Sequence, residues 1–405
     1  MDEDQSYDLN EELGPELEAL EEQSLLRVLR TLDTPQSAHV SIDGRELINF
    51  SSNDYLGLAN SHQLKQVAVE AVEEFGVGSG ASRLICGNQT PHLALEGALA
   101  DWKGTESALS FSSGFAAAIG TLPNLVGKGD VVIIDKLVHA CLVDAARNSG
   151  ATLRVFAHND LNQLEKHLKW ADAKRSSDKK VRILVVAESV YSMDGDLAPL
   201  INLVDLKEKY GAWLMLDEAH ATGLFGKSRS GLVEEFGVQG RVEVQMGTLG
   251  KALGVSGGYI CGSRELVDLL VNRARSFVFS TAPPPALALT AAASVALVRS
   301  EEGEALRSRL WAMVEEVKNL LIRCNREVGV VRSPIIPMIV GDEAAAVEEG
   351  ASFLEKGLLI PAIRYPTVAR GKARLRLSVS AAHTLEDTEA LEAALSSDTS
   401  ADATD

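Results

Sequence analysis

Ala212-Trp213-Leu214-Met215-Leu216-Asp217-Glu218-Ala219-His220 is an apolar run that closes on a charged tetrad, and further on a lysine stands in a glycine-rich loop, Gly247-Thr248-Leu249-Gly250-Lys251-Ala252-Leu253-Gly254. Residues 212–216 read as a buried parallel strand, which puts Asp217 at its carboxyl end, where open α/β sheets place their ligands. An amine and a carboxylate so placed suit pyridoxal phosphate. Its aldehyde condenses with an amine, and its pyridine nitrogen draws electrons only while protonated. Lys251 supplies the amine and, once displaced by an incoming amino acid, a nearby base. Asp217 keeps the pyridinium charged, and His220 is spaced to hydrogen-bond the ring oxygen.

Two other readings of these stretches fail on context. Asp-Glu-Ala-His also occurs as the acidic box of a helicase group, and Ala221-Thr222-Gly223-Leu224-Phe225-Gly226-Lys227-Ser228 satisfies a relaxed phosphate-loop pattern. A phosphate loop follows a strand and opens a helix upstream of the acidic box, whereas this one stands directly after His220. Gly76-Val77-Gly78-Ser79-Gly80-Ala81 imitates a dinucleotide fingerprint but follows a helical pattern, Leu64 to Phe75, where a strand is required.

The length of 405 residues suggests a large domain with a smaller one, and 46% hydrophobic with 24% charged residues is the balance of a soluble globule. The net charge of -18 sits at the ends. Residues 1–23 hold ten acids and residues 377–405 seven, with no Lys or Arg in either, so the body between is almost neutral. No basic face for nucleic acid is visible, and the acidic ends read as solvating segments. No apolar run reaches a membrane span, and Met1-Asp2-Glu3-Asp4 is the opposite of a basic leader. Cys86, Cys141, Cys261 and Cys324 lack metal-type spacing and read as reduced buried thiols of a cytoplasmic protein, with no metal site.

Residues 1–45 read as an arm, with a helix around Glu16 to Leu32 and a strand at His39 to Ile42 before an Asp43-Gly44 turn. From 46 to 285 helices alternate with apolar strands at Ala108–Phe111, Val131–Ile134, Ile183–Val186, Trp213–Leu216 and Val242–Gln245, predicting a mostly parallel sheet covered on both faces. Pro283-Pro284-Pro285 is the expected break before a small domain, 286–395. It comprises a long helical run, Ala286 to Arg326, then strands at Ile335–Val340, Leu358–Ile363 and Arg374–Val379. Residues 396–405 are expected to be a disordered acidic tail.

Further motifs carry a family likeness: Asn53-Asp54-Tyr55-Leu56-Gly57-Leu58, Gly78-Ser79-Gly80-Ala81-Ser82-Arg83-Leu84, Phe111-Ser112-Ser113-Gly114-Phe115, Glu188-Ser189-Val190-Tyr191-Ser192-Met193-Asp194-Gly195-Asp196 and Phe279-Ser280-Thr281-Ala282-Pro283-Pro284. Through most of residues 46–385 the chain resembles the α-oxoamine synthases, pyridoxal-phosphate enzymes of fold type I that condense an amino acid with an acyl thioester. The resemblance implies an α/β fold in which a large domain with a mostly parallel seven-stranded sheet precedes a smaller C-terminal α+β domain. Ala362-Ile363-Arg364-Tyr365-Pro366-Thr367-Val368, Ala373-Arg374-Leu375-Arg376-Leu377 and Ala381-Ala382-His383-Thr384 are most similar to the branch that joins L-alanine to a pimeloyl thioester. Branches using glycine or serine share the scaffold. One of them is expected to carry a cysteine where this chain has Glu218.

The same resemblance implies the remaining roles. His139 stacks on the cofactor ring, Gly114 and Phe115 give backbone N–H groups to the phosphate, and Thr248 adds a hydroxyl there. Ser192 joins His220 at the ring oxygen. Asn53, Arg364 and Arg376 bind substrate, Arg376 pairing with the amino-acid carboxylate and Arg364 assisting condensation and decarboxylation. Ser280 and Thr281 reach the neighbouring subunit's phosphate, which implies a homodimer. The chain departs from the family pattern at Val138, Cys141 and Ala118, none of which removes a reacting group.

Overall fold

The computed structural model describes residues 8–175 and 180–399. Among the described residues thirteen strands run in chain order: β1 (His39–Ile42), β2 (Arg45–Asn49), β3 (Ser107–Phe111), β4 (Val131–Asp135), β5 (Thr152–Phe156), β6 (Ile183–Glu188), β7 (Trp213–Asp217), β8 (Val244–Thr248), β9 (Gly258–Gly262), β10 (Ile335–Gly341), β11 (Leu358–Leu359), β12 (Ala362–Ile363) and β13 (Ala373–Ser378). Seven of them form one sheet in the order β3-β9-β8-β7-β6-β4-β5. Only β9 runs against the rest. Val131 to Ile134, Ile183 to Ala187 and Leu214 to Leu216 are buried throughout, as befits strands covered on both faces. Their cover includes Leu142, Ala145, Leu164, Leu168 and Leu203, which share one core with the sheet.

The order places β5 on one side of β4 and β6 on the other, so the connections diverge between β4 and β6. Open α/β sheets bind ligands at the strand carboxyl ends beside such a switch point.

The described chain divides into two compact units: residues 53–312 with 380–382, and residues up to 52 with 313–379 and those from 383 onward. The first contains the seven-stranded sheet. In the second, β1-β2-β11 and β10-β13-β12 form two three-stranded sheets, and Val40, Leu47 and Leu359 pack together.

Several sequence expectations shift. Cys141 and Cys261 are buried, but Cys86 is exposed and Cys324 half-buried. The end of the expected arm, residues 39–45, is not separate, because β1 pairs with β2 and β2 pairs in parallel with β11. The proline run does not part the units: Pro285 opens the helix Pro285–Arg299, which packs on His62–Phe75 and Thr90–Lys103. A proline in a first helical turn loses no hydrogen bond, so it starts an element without ending a domain. The boundary falls instead within the helix Glu301–Arg323. The first helix is Leu9–Glu22, begun by the Asp8 cap and closed near Ser24, which has φ 56°. The segment 358–363 is two short strands because Pro361 interrupts it. The helix Leu385–Thr399 runs past the expected tail boundary, and residues 400–405 of that tail lie outside the described residues. No helix among the described residues is long and apolar enough to cross a membrane.

Candidate active site

Glu188, Asp217 and Thr248 end β6, β7 and β8. The register aligns Glu188 with Asp217. Parallel pairing thus converts three distant sequence positions into one row at the sheet's carboxyl edge. Asp217 Oδ1 accepts from Ala219 N at 2.9 Å, a tight turn that brings His220 back over the strand end. Asp217 and His220 are both buried.

Lys251, in the loop after β8, puts Nζ 2.6 Å from His220 Nε2. The other ring nitrogen, Nδ1, is 2.6 Å from the Tyr55 hydroxyl, which donates to Asn53 Oδ1 at 3.1 Å. Tyr55 is fully buried and His220 is buried, whereas Asn53 and Lys251 at the two ends are half-buried.

His139 caps the helix Ala140–Asn148, with Nδ1 accepting from Cys141 N at 3.2 Å. Its backbone N donates to Glu188 Oε1, across the switch point, while Ser192 N donates to Glu188 Oε2 at 3.1 Å. One buried carboxyl therefore joins the loops carrying His139 and Ser192. Although His139 is exposed, the protein around it lowers its pKa by desolvation; Asp217 opposes that shift and Lys251 adds to it. Burial raises the pKa of Glu188, and the Asp217 charge raises it further. Burial raises that of Asp217 too, against the lowering effect of the Lys251 cation. Two enclosed carboxyls on neighbouring strand ends do not both ionise freely, and the Lys251 cation works against burial at both.

The donor set fits pyridoxal phosphate. A primary amine and a buried acid stand at one strand edge, and the helix Gly114–Leu125 begins beside them. A Cβ on Gly114 would come within 3.8 Å of Thr248 Cβ, so the helix start and the end of β8 face each other. On the other side, a Cβ on Gly258 would approach Gly114 N to 2.5 Å, so β9 passes this turn only as glycine. Ser113 Oγ accepts from Ala116 N at 3.0 Å, leaving the Gly114 and Phe115 N–H groups at the free end of the helix, where a phosphate is best held.

Other expected site residues stand elsewhere. Thr281 is exposed and bridges Ser82. Arg364 and Arg376 belong to the second compact unit. There Arg376 is buried and its Nη1 donates to Ser378 Oγ at 2.8 Å, and Arg364 Nη2 donates to Leu26 O. Tyr55 and Glu188 stand in the family motifs without a role legible in the sequence, because their partners His220 and His139 lie far along the chain. The polar Glu188 ending an otherwise apolar strand was the available signal.

The aminotransferase class I and II family model matches residues 45–395. A Geobacter sulfurreducens protein named 8-amino-7-oxononanoate synthase is 47% identical over 383 residues, which is 95% of this chain and 96% of that one. A Symbiobacterium thermophilum protein of the same name is 44% identical over 379 residues, 94% of this chain and 95% of that one. Among solved structures, a serine palmitoyltransferase from S. paucimobilis with a bound PLP–myriocin aldimine superposes with TM-score 0.90 at 29% identity, covering 98% of this chain and 99% of that one. An 8-amino-7-oxononanoate synthase from Francisella tularensis superposes with TM-score 0.72 at 26% identity, covering 88% and 98% respectively.

Proposed function

The chain belongs to the class I and II aminotransferase family, in its α-oxoamine synthase branch, and we propose that it joins L-alanine to a pimeloyl thioester. The products are 8-amino-7-oxononanoate, carbon dioxide and the free thiol carrier, a step of biotin formation. The observation that carries this reading is the Lys251 amine held against His220 beside Asp217, in a chain whose near-full-length relatives bear that enzyme's name.

Pyridoxal phosphate, when bound, supplies the electron sink for charge developing at the amino acid's α carbon. Lys251 would hold it through Nζ and later accept the α proton at that atom. Asp217 would keep a proton on the ring nitrogen, its anion being effective because few waters screen it. His220 and Ser192 would hydrogen-bond the ring oxygen, and His139 would lie against the ring. Gly114, Phe115 and Thr248 would hold the phosphate. Arg376 would orient the alanine carboxylate, Asn53 would contact substrate, and Arg364 would assist as the carbon–carbon bond forms and carbon dioxide leaves. Thr281, with Ser280, would complete the phosphate site of a second copy in a homodimer.

The structural likeness to serine palmitoyltransferase favours, as the second reading, an acyltransferase using serine or glycine, 2-amino-3-ketobutyrate coenzyme A ligase included. Alanine labelled in its carboxyl carbon separates the two. Release of the label as carbon dioxide is expected only when pimeloyl thioester is present. Release from labelled serine or glycine, or glycine label retained in a 2-amino-3-ketobutyrate product, with no release from alanine, overturns the first reading.

A further inference from the structure

His158 stands in the loop after β5, outside the group around Lys251, and links the chain on either side of the switch point. Its Nδ1 is 3.1 Å from Asp135 Oδ1 and its Nε2 is 2.8 Å from Asp196 Oδ2. An imidazole that faces a carboxylate at each nitrogen donates at both and is an imidazolium. Asp135 is fully buried at the end of β4. It also accepts from Leu137 N at 2.8 Å and Asn159 N at 2.9 Å, fixing the turn that leads to His139. Asp196 belongs to the return arm of the loop after β6. That loop is closed by the Val190–Leu197 bridge and by Tyr191 N donating to Asp196 O at 3.0 Å, with Ser192 between. Asn159 Nδ2 adds bonds to Asp196 Oδ2 at 3.1 Å and Leu197 O at 3.2 Å. The Tyr191 ring meets His158 edge-on, with centroids 4.4 Å apart and planes at 87°.

We propose that His158 is a positioning residue: bridging Asp135 and Asp196, it holds the His139 loop and the Ser192 loop in register with each other. Glu188 joins the same loops through their backbone, whereas His158 fixes them from the outer side by charge. A cofactor contacted by His139 and Ser192 would then be held still only while both loops are tied. This inference rests on the proposed cofactor roles of His139 and Ser192.

The test uses holoenzyme of the parent, Asp196→Asn and His158→Asn. Asp196 is partly open, so its amide removes one charge with little change in shape. The readouts are the visible circular dichroism of bound pyridoxal phosphate, its dissociation constant, and the thermal midpoint. Both variants are expected to lose at least half of the cofactor dichroism and to bind it about tenfold more weakly, the scale on which partners of ligand-contacting residues act. Dichroism and affinity at the parent's level, with only the thermal midpoint lowered, overturn the proposal. A loss in His158→Asn with Asp196→Asn unchanged also overturns it, because the bridge needs both ends. Failure of the parent to bind the cofactor would instead reject the active-site reading.

Discussion

Lys251 Nζ lies 2.6 Å from His220 Nε2, and this contact fixes the protonation of the histidine ring. An ammonium has only donors, so Nε2 accepts. Nδ1 then carries the proton and donates to Tyr55, whose own hydroxyl turns to Asn53. The tautomer at the centre of the site is therefore set by a residue in the loop after β8 and read by one in the segment after β2.

Tyr55→Phe keeps the ring's bulk and removes the acceptor for His220 Nδ1–H. Losing such a buried bond costs about 1–3 kcal/mol, expected here as roughly a tenfold fall in kcat with the alanine KM near the parent's. Steady-state kinetics decide it. A parent-like kcat would show that Tyr55 does not govern His220.

Asp217→Asn retains size and deletes the anion expected to keep the ring nitrogen protonated. Turnover should fall by about 10²-fold or more, as when other electrostatic partners of a transition state are removed. Cofactor should remain bound and reducible by borohydride onto Lys251. A rate within about threefold of the parent would mean that Asp217 plays no such part.

The Lys251 and Asp217 placements were legible because each depends on a short local pattern: an apolar strand ending in an acid, and a lysine among glycines. The sheet was only partly legible. Val131 to Ile134 and Ile183 to Ala187 are unbroken apolar runs, but β9 reads Gly-Tyr-Ile-Cys-Gly, whose glycines resemble a turn. Those glycines are forced by packing, since a Cβ on Gly262 would come within 2.7 Å of Glu243 O. The edge strand β5 mixes half-buried and exposed positions, and so lacks a continuous apolar signature. The Tyr55, Glu188 and His158 contacts arise only when strands distant in sequence are laid side by side.

Lys103 and Glu218 form an enclosed ion pair at 2.7 Å, with both side chains wholly shielded. Burial, the largest single influence, lowers the lysine pKa, but Glu218, with Tyr259 and Cys261, together outweigh it and raise it. Lys103 also donates to Thr222 Oγ1 at 2.9 Å, and Glu218 Oε1 accepts from Val233 N at 3.0 Å, so the pair braces the turn after Asp217. Lys103→Met leaves Glu218 as a stranded charge and should destabilise the fold by about 3–5 kcal/mol in denaturant melts. Lys103→Met with Glu218→Gln should recover part of that loss. A single variant as stable as the parent would contradict the bracing role.

His158 gives a signed pH dependence. Burial pushes its pKa down, but Asp135 and Asp196 outweigh this and raise it to about 10 from an ordinary value of 6.5. The folded state thus binds the proton more tightly than the unfolded state. The resulting stability is fully present below pH 6.5 and is lost as the pH climbs through about 10. The difference in thermal midpoint between parent and His158→Asn should be largest near neutrality or below and shrink as the solution becomes alkaline. A difference that does not vary with pH would show that the ring is not held as a cation.

The most direct measurement is a matrix of alanine, glycine and serine against pimeloyl, acetyl, succinyl and palmitoyl thioesters, with kcat/KM for each pair and the product identified by mass. Alanine with the pimeloyl thioester should give the highest value and the mass of 8-amino-7-oxononanoate, with one carbon dioxide released per turnover. A higher value for glycine with acetyl or succinyl thioester, or for serine with palmitoyl thioester, would contradict the proposed reaction while leaving the family and the Lys251 site in place.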